Sequence, residues 1–172
     1  MTKGILERLS EGIVLGDGGY IHELGKRAVV REGPYTPEVC LEHPEAVKEL
    51  HREFLIAGAE VLQALAFYGS RDKLATVGFG DRVLEVNRIA VRLAREVADD
   101  KALVAGNLST TWDYIEDDPK SHDLVRKQFQ EQLQVQVEEG VDFVICELLF
   151  HLGEALIALK TAKATGLPIM VT

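Results

Sequence analysis

Two rhythms of apolar and polar positions alternate along the chain. Five runs, 13–15, 60–67, 102–105, 143–149 and 168–172, are of strand length and nearly continuously apolar. That is the mark of parallel strands covered on both faces. Between them the apolar residues recur at helical spacing. Val47, Leu50, Phe54 and Leu55 mark one face, and Val83, Val86, Ala90, Leu93 and Val97 a second. Val125, Phe129 and Leu133 mark a third, and Leu152, Ala155, Leu156, Leu159 and Ala162 a fourth. Pro37 and Pro44 suit first-turn positions, and Gly58, Gly140 and Gly166 follow helical runs where a left-handed cap belongs. The order β-α-β-α-β-α-β-α-β predicts a parallel sheet with right-handed crossovers. A doubly wound open sheet and a (β/α)8 barrel both satisfy it. The last apolar run extends to Thr172. A central strand is a poor last element, so the pattern predicts a truncated sequence, five strands being a little over half of a barrel of about 250 residues.

Composition narrows the function classes. The chain has 172 residues, of which 47% are hydrophobic and 27% charged, enough for one domain with a core. The formal net charge is -9 with both signs interspersed. Without a cluster of Lys and Arg to replace counterions, nucleic acid is not an expected partner. No apolar run reaches the roughly 18 residues of a membrane span, and the charged N-terminus lacks a signal core. Cys40 and Cys146 form neither a CxxC motif nor a disulfide framework, which reads as a reduced, cytoplasmic protein.

Chemistry-bearing residues fall at the predicted C-terminal ends of strands, where parallel α/β folds place function. Asp17-Gly18-Gly19 follows the first run. The glycines allow backbone N–H groups close to a ligand, Asp17 can accept from an ammonium, and the plain alternative is a tight turn. Gln63 lies in the second run, followed by Phe67-Tyr68-Gly69 at its end. Aromatic rings there can wall a quaternary-ammonium cage, or Phe67 is simply core and Tyr68 surface. Glu147 interrupts the apolar run 143–149. A carboxylate in such a strand is costly unless it is paired or binds something. Cys146 points to the opposite face and reads as a small core residue. Of the histidines, His43, His51, His122 and His151 lie on or beside helices and His22 in a loop. Trp112 and Tyr114 sit in the loop after the third strand, near the acidic run 116–118.

Those positions belong to a longer set of ordered motifs. Lys3-Gly4-Ile5-Leu6-Glu7-Arg8-Leu9 opens the series, followed by Gly16-Asp17-Gly18-Gly19 and Gly33-Pro34-Tyr35-Thr36-Pro37-Glu38. Glu42-His43-Pro44-Glu45-Ala46-Val47 and Leu50-His51-Arg52-Glu53-Phe54-Leu55 come next. Phe67-Tyr68, Asp72-Lys73-Leu74, Ala102-Leu103-Val104-Ala105-Gly106 and Val141-Asp142-Phe143, leading to Glu147, complete it. In order and spacing the chain resembles the N-terminal part of the betaine–homocysteine S-methyltransferases. The resemblance implies a (β/α)8 TIM barrel, here its first five β-strands and four helices. It makes residues 1–172 the N-terminal portion of a homocysteine-binding domain.

The resemblance also implies chemistry. Zinc held by three cysteine thiolates ionises the homocysteine sulfur. The sulfur attacks a methyl on the quaternary nitrogen of betaine, giving methionine and dimethylglycine, and the enzyme aligns and desolvates the pair. By position, Asp17, Gly18, Gly19 and Glu147 would hold homocysteine. Tyr35, Phe67 and Tyr68 would form the methyl-donor pocket, with the Tyr68 hydroxyl toward the donor carboxylate and Thr36 adjacent. The family's zinc cysteines, one after a later strand and a Gly-Gly-Cys-Cys run, are not in this sequence, and Cys40 and Cys146 do not stand at those positions. The expected zinc ligands therefore lie past Thr172, and these residues alone are expected to transfer no methyl group. Tyr35 replaces a Trp, Leu148 an aromatic residue and Ala64-Leu65-Ala66 a Thr-Phe-Thr of vertebrate-type members. The thinner cage admits another methylated amine, or a sulfonium such as S-methylmethionine, as donor. A different barrel enzyme without zinc, and a non-enzymatic half-barrel stable as a homo-oligomer, are the alternative expectations.

Overall fold

The computed structural model describes residues 3–30, 33 and 37–172. Four strands, β1 (Val61–Gln63), β2 (Leu103–Ser109), β3 (Phe143–Glu147) and β4 (Ile169–Val171), pair in parallel in the order β1-β2-β3-β4. Consecutive parallel strands need a crossover, and helices supply it: α6 (Val83–Ala98), α7 (Pro119–Glu138) and α8 (Leu152–Lys163), with α4 (Pro44–Ile56) ahead of β1. These four match the predicted helices. Pro44 opens α4, and Gly58, Gly140 and Gly166 have positive φ as their cap positions require. Four short helices add to them, α1 (Ile5–Glu11), α2 (Tyr20–Lys26), α3 (Val39–Glu42) and α5 (Arg71–Ala75), together with a 3-10 turn at Gly80–Arg82. His22 lies in α2 rather than in a loop, and Pro37 precedes α3 instead of opening it.

The sheet has four strands among the described residues, not five. Residues 13–15 run beside β1 without joining the ladder. Leu15 C=O accepts from Glu60 N–H at 2.8 Å, but three residues further along β1 the Gln63 N–H goes to the Asp17 carboxylate. A side chain thus takes the bond that would have continued a strand, and Ile13 is left 96% exposed. β1 also stops sooner than the apolar pattern implied, and β2 runs further, through the polar residues Asn107 and Ser109.

Alternation along the strands separates two faces. Leu62, Val104, Leu108, Val144 and Cys146 point to the helices and pack with residues such as Leu50, Ala90, Phe129 and Ala158. The other face is apolar toward the strand N-termini, where Val61, Leu103, Ala105 and Phe143 meet Ile5 of α1 and Val14. Toward the C-termini it carries Gln63, Asn107, Ser109 and Glu147. Helix α8 differs from its predicted stripe. Glu154, Ala158, Thr161 and Ala162 are buried while Leu152 is 77% exposed and Leu156 also faces outward. Small residues let the helix lie close on the sheet, and the bonds of Glu154 fix which side is turned in.

Candidate functional site

A cleft of about 430 Å³ opens over the C-terminal end of the sheet's polar face. Asp17, Gly18, Gly19, Gln63, Phe67 and Glu147 line it, together with Tyr20 and His22. The chain thus brings five of the expected site residues together: Asp17, Gly18, Gly19, Phe67 and Glu147. Gln63 connects its two carboxylates. Its backbone N–H donates to Asp17 Oδ2 at 2.5 Å, and its side-chain Nε2 donates to Glu147 Oε1 at 2.6 Å. Asn107 Nδ2 donates to the same Glu147 oxygen at 2.6 Å. Two amide donors fix Oε1, and among the described residues nothing donates to Oε2.

Asp17 is tied down from below as well. The Tyr20 hydroxyl donates to Asp17 Oδ2 and stands 2.7 Å from His51 Nδ1. Since the one phenolic proton goes to Asp17, the Nδ1–H of His51 donates to Tyr20. Burial pushes the Asp17 carboxyl up to about 6, against the lowering effect of its bonds from Tyr20 and Gln63. Burial holds His51 down to about 3, so the imidazole is neutral, and it raises the Tyr20 phenol well above its ordinary range. Gly18 serves packing more than backbone access: a Cβ there would come 3.0 Å from the Phe54 ring.

The aromatic pair is arranged differently from an open cage. Phe67 lines the cleft and stacks on Tyr68, ring centroids 4.1 Å apart. The Lys73 ammonium lies 4.1 Å from the Tyr68 centroid and 3.9 Å from that of Trp112. A stacked ring and an ammonium at that distance cannot share one face, so Tyr68 is covered on both sides. Lys73 is only 1% exposed, and burial lowers its pKa. Asp72 holds the arrangement by accepting from Trp112 N–H. Tyr68 and Leu148 each adopt positive φ, 54° in both, where their strands give way to loops. Tyr35 and Thr36, the remaining expected site residues, lie outside the described residues.

Residues 14–172 match the family described as Homocysteine S-methyltransferase. The chain belongs to that family. Betaine–homocysteine S-methyltransferase 1 of Bos taurus is 48% identical over 178 residues, which span 100% of this chain and 43% of that protein. The protein of the same name from Pongo abelii is 49% identical over 99% of this chain and 43% of its own length. That from Sus scrofa is 47% identical over 99% of this chain and 63% of its own. The chain therefore spans less than half of the bovine and Pongo relatives it matches. Among solved structures, the metallated form of the homocysteine methyltransferase MmuM from Escherichia coli superposes with a TM-score of 0.77 at 20% identity, over 91% of this chain and 60% of that one. That likeness is one of fold.

For a member of this methyltransferase family, the described residues offer no metal centre: no three His, Cys, Asp or Glu side chains among them converge. Cys40 is buried with its thiol donating to Leu65 C=O at 3.5 Å, and burial raises its pKa. Cys146 faces the helix layer, its pKa pushed up to about 12 by burial. Neither is a thiolate donor, and the residues present do not fit zinc. Three polar residues of this end escaped the sequence reading as site or framework groups: Asn107, Lys73 and Glu154. Gln63 was singled out by its place in the second apolar run, but its link between the two carboxylates was not.

Proposed function

We propose that this chain forms the amino-acid-binding portion of a homocysteine S-methyltransferase. Supporting the reading most directly is one observation: two carboxylates, Asp17 and Glu147, face one cleft and are braced by the same residue, Gln63. A pair of fixed carboxylates, one ending β3 and one in the segment that runs beside β1, suits an ammonium group. Homocysteine would place its ammonium between them, near Glu147 Oε2, and extend its thiol along the wall made by Phe67. The reaction would move a methyl from betaine, or a similar methylated donor, to the homocysteine sulfur. The residues of this chain contribute binding, orientation and exclusion of water.

For the methyl donor, the covered Tyr68 argues for a particular orientation. A quaternary ammonium gains little beside the Lys73 ammonium, whereas a donor carboxylate is attracted to it and to the Tyr68 hydroxyl. The donor's cationic end is then left to Phe67. The whole would sit on the first strands of a (β/α)8 barrel, in a cytoplasmic protein. Isothermal titration of the chain with L-homocysteine tests the reading, using its desamino counterpart, 4-mercaptobutanoate, for comparison. Homocysteine is expected to bind more tightly, and equal affinities for the two thiols would sink the amino-acid assignment.

A further inference from the structure

Asn107 occupies the sheet face that carries the cleft, yet its role is set from the other side of the sheet. Alternate residues of β2 direct their main-chain groups toward β1: Leu103 N–H donates to Glu60 C=O, and Ala105 C=O accepts from Ala64 N–H. Asn107 is next in that series, but by then β1 has ended. Gln136 of α7 takes the vacant place. Its Oε1 accepts from Asn107 N–H at 2.9 Å and its Nε2 donates to Asn107 C=O at 2.9 Å. The side chain reaches the backbone only because residue 106 is glycine, where a Cβ would stand 2.5 Å from Gln136 Oε1. Gln136 Nε2 also donates to Asn87 Oδ1 at 2.8 Å, and Asn87 Nδ2 donates to Gly69 C=O at 3.0 Å. A chain of buried amides thus runs from the turn after Tyr68 to the carboxylate of Glu147.

The side chain of Asn107 is not needed for that backbone clamp. Its Nδ2 donates to Glu147 Oε1, while its Oδ1 is buried and accepts nothing among the described residues. A buried carbonyl without a donor destabilises the fold, and an apolar residue at this position would remove the cost while keeping every bond to Gln136. What the asparagine adds is its grip on Glu147. With Gln63 on the same oxygen, that grip leaves Oε2 as the open one.

We propose that Asn107 is a positioning residue that fixes Glu147 for recognition of an α-ammonium group and so selects amino acids over their desamino counterparts. This rests on the reading of the cleft as an amino-acid site. The test is isothermal titration of the full chain with L-homocysteine and with 4-mercaptobutanoate. The variants are Asn107→Leu, Asn107→Ala, Glu147→Gln and the double variant Asn107→Ala/Glu147→Gln, with melting curves recorded for each. Asn107→Ala removes only the side-chain contact and stands in if the leucine variant does not fold. Loss of a hydrogen bond to a charged group is expected to weaken homocysteine roughly tenfold. The desamino thiol should stay within about twofold, and the double variant should be no weaker than Glu147→Gln alone, as for two residues acting through one contact. Unchanged homocysteine binding in the Asn107 variants, equal weakening of both thiols, or additive losses in the double variant would overturn the proposal while leaving the amino-acid site standing. A wild-type chain that binds both thiols alike, or neither, removes the amino-acid reading itself and this inference with it.

Discussion

Two glutamates stand at the same end of the molecule and are used in opposite ways. Glu154, in the first turn of α8, is completely buried, and both of its oxygens are occupied. Oε1 accepts from Thr111 N–H at 2.7 Å and from the Thr111 hydroxyl at 2.8 Å, and Oε2 accepts from the Thr110 hydroxyl at 2.7 Å. It binds the start of α8 to the segment leaving β2 and has no capacity left for a ligand. Glu147, at the end of β3, is partly exposed, has one oxygen doubly engaged, and lines the cleft. A carboxylate filled from within holds the fold; one left half filled gains its full set of partners when something binds.

That contrast breaks most visibly at Glu154. Glu154→Ala orphans three donors, at roughly 1 kcal/mol each, and is expected to cost about 3 kcal/mol, read as a lowered urea midpoint. Gly106→Ala comes next: driving a methyl against Gln136 should cost about 2 kcal/mol by the same measurement, as overpacking does. Glu147→Gln belongs to the other class. Its melting temperature should change little, while homocysteine binding by titration falls at least tenfold, about 1.4 kcal/mol. A large drop in stability there would mean that Glu147, too, is structural.

The smallest effect is a pH dependence. Burial holds Asp17 at about 6, above its ordinary 3.8, so it is mostly uncharged below that pH. A cationic ligand favours the ionised form. Homocysteine affinity should therefore rise as pH climbs through about 6 and level off above, with a gain of up to roughly tenfold between pH 5 and 7.5. Asp17→Asn should flatten the profile. For folding stability the sign is opposite. Protonated Asp17 favours the native state below about pH 4, and that contribution is lost as pH rises through 6.

The parallel layout and its four long helices were legible because period and length agree, and Glu147 because a charge interrupts an apolar run. Glu154 was not, since glutamate in a first helical turn is commonplace beside the helix dipole and gives no hint of burial. Asn107 was hidden by the same convention that found the strands: a polar residue after an apolar run reads as loop, whereas β2 continues through it. Residues 13–15 misled in the other direction. Their apolarity suits a strand, but the Asp17 side chain takes the hydrogen bond a strand would have used. The stripe on α8 failed because hydrophobicity ranks leucine above alanine, and at close range to a sheet the smaller residue is the one that fits. In Tyr68, aromatic character was legible and its occupancy by Lys73 was not, because a cation–π contact pairs residues that no periodic pattern links.

The substitution of Gln136 for a strand neighbour has a consequence for how such a protein can change over time. Past Ala64, whose N–H still donates to Ala105 C=O, the edge of β2 is closed at Asn107 by one amide that comes from the opposite side of the sheet. The loop from Ala64 to Ser70 still touches β2, through Ala64 N–H at its start and through Tyr68 N–H on the Ser109 hydroxyl, but it does not pair with the main chain of Asn107. Gln136 and Gly106 are therefore bound to change together or not at all, since a side chain at 106 would displace the amide and loss of the amide would leave the main chain of Asn107 without its partners.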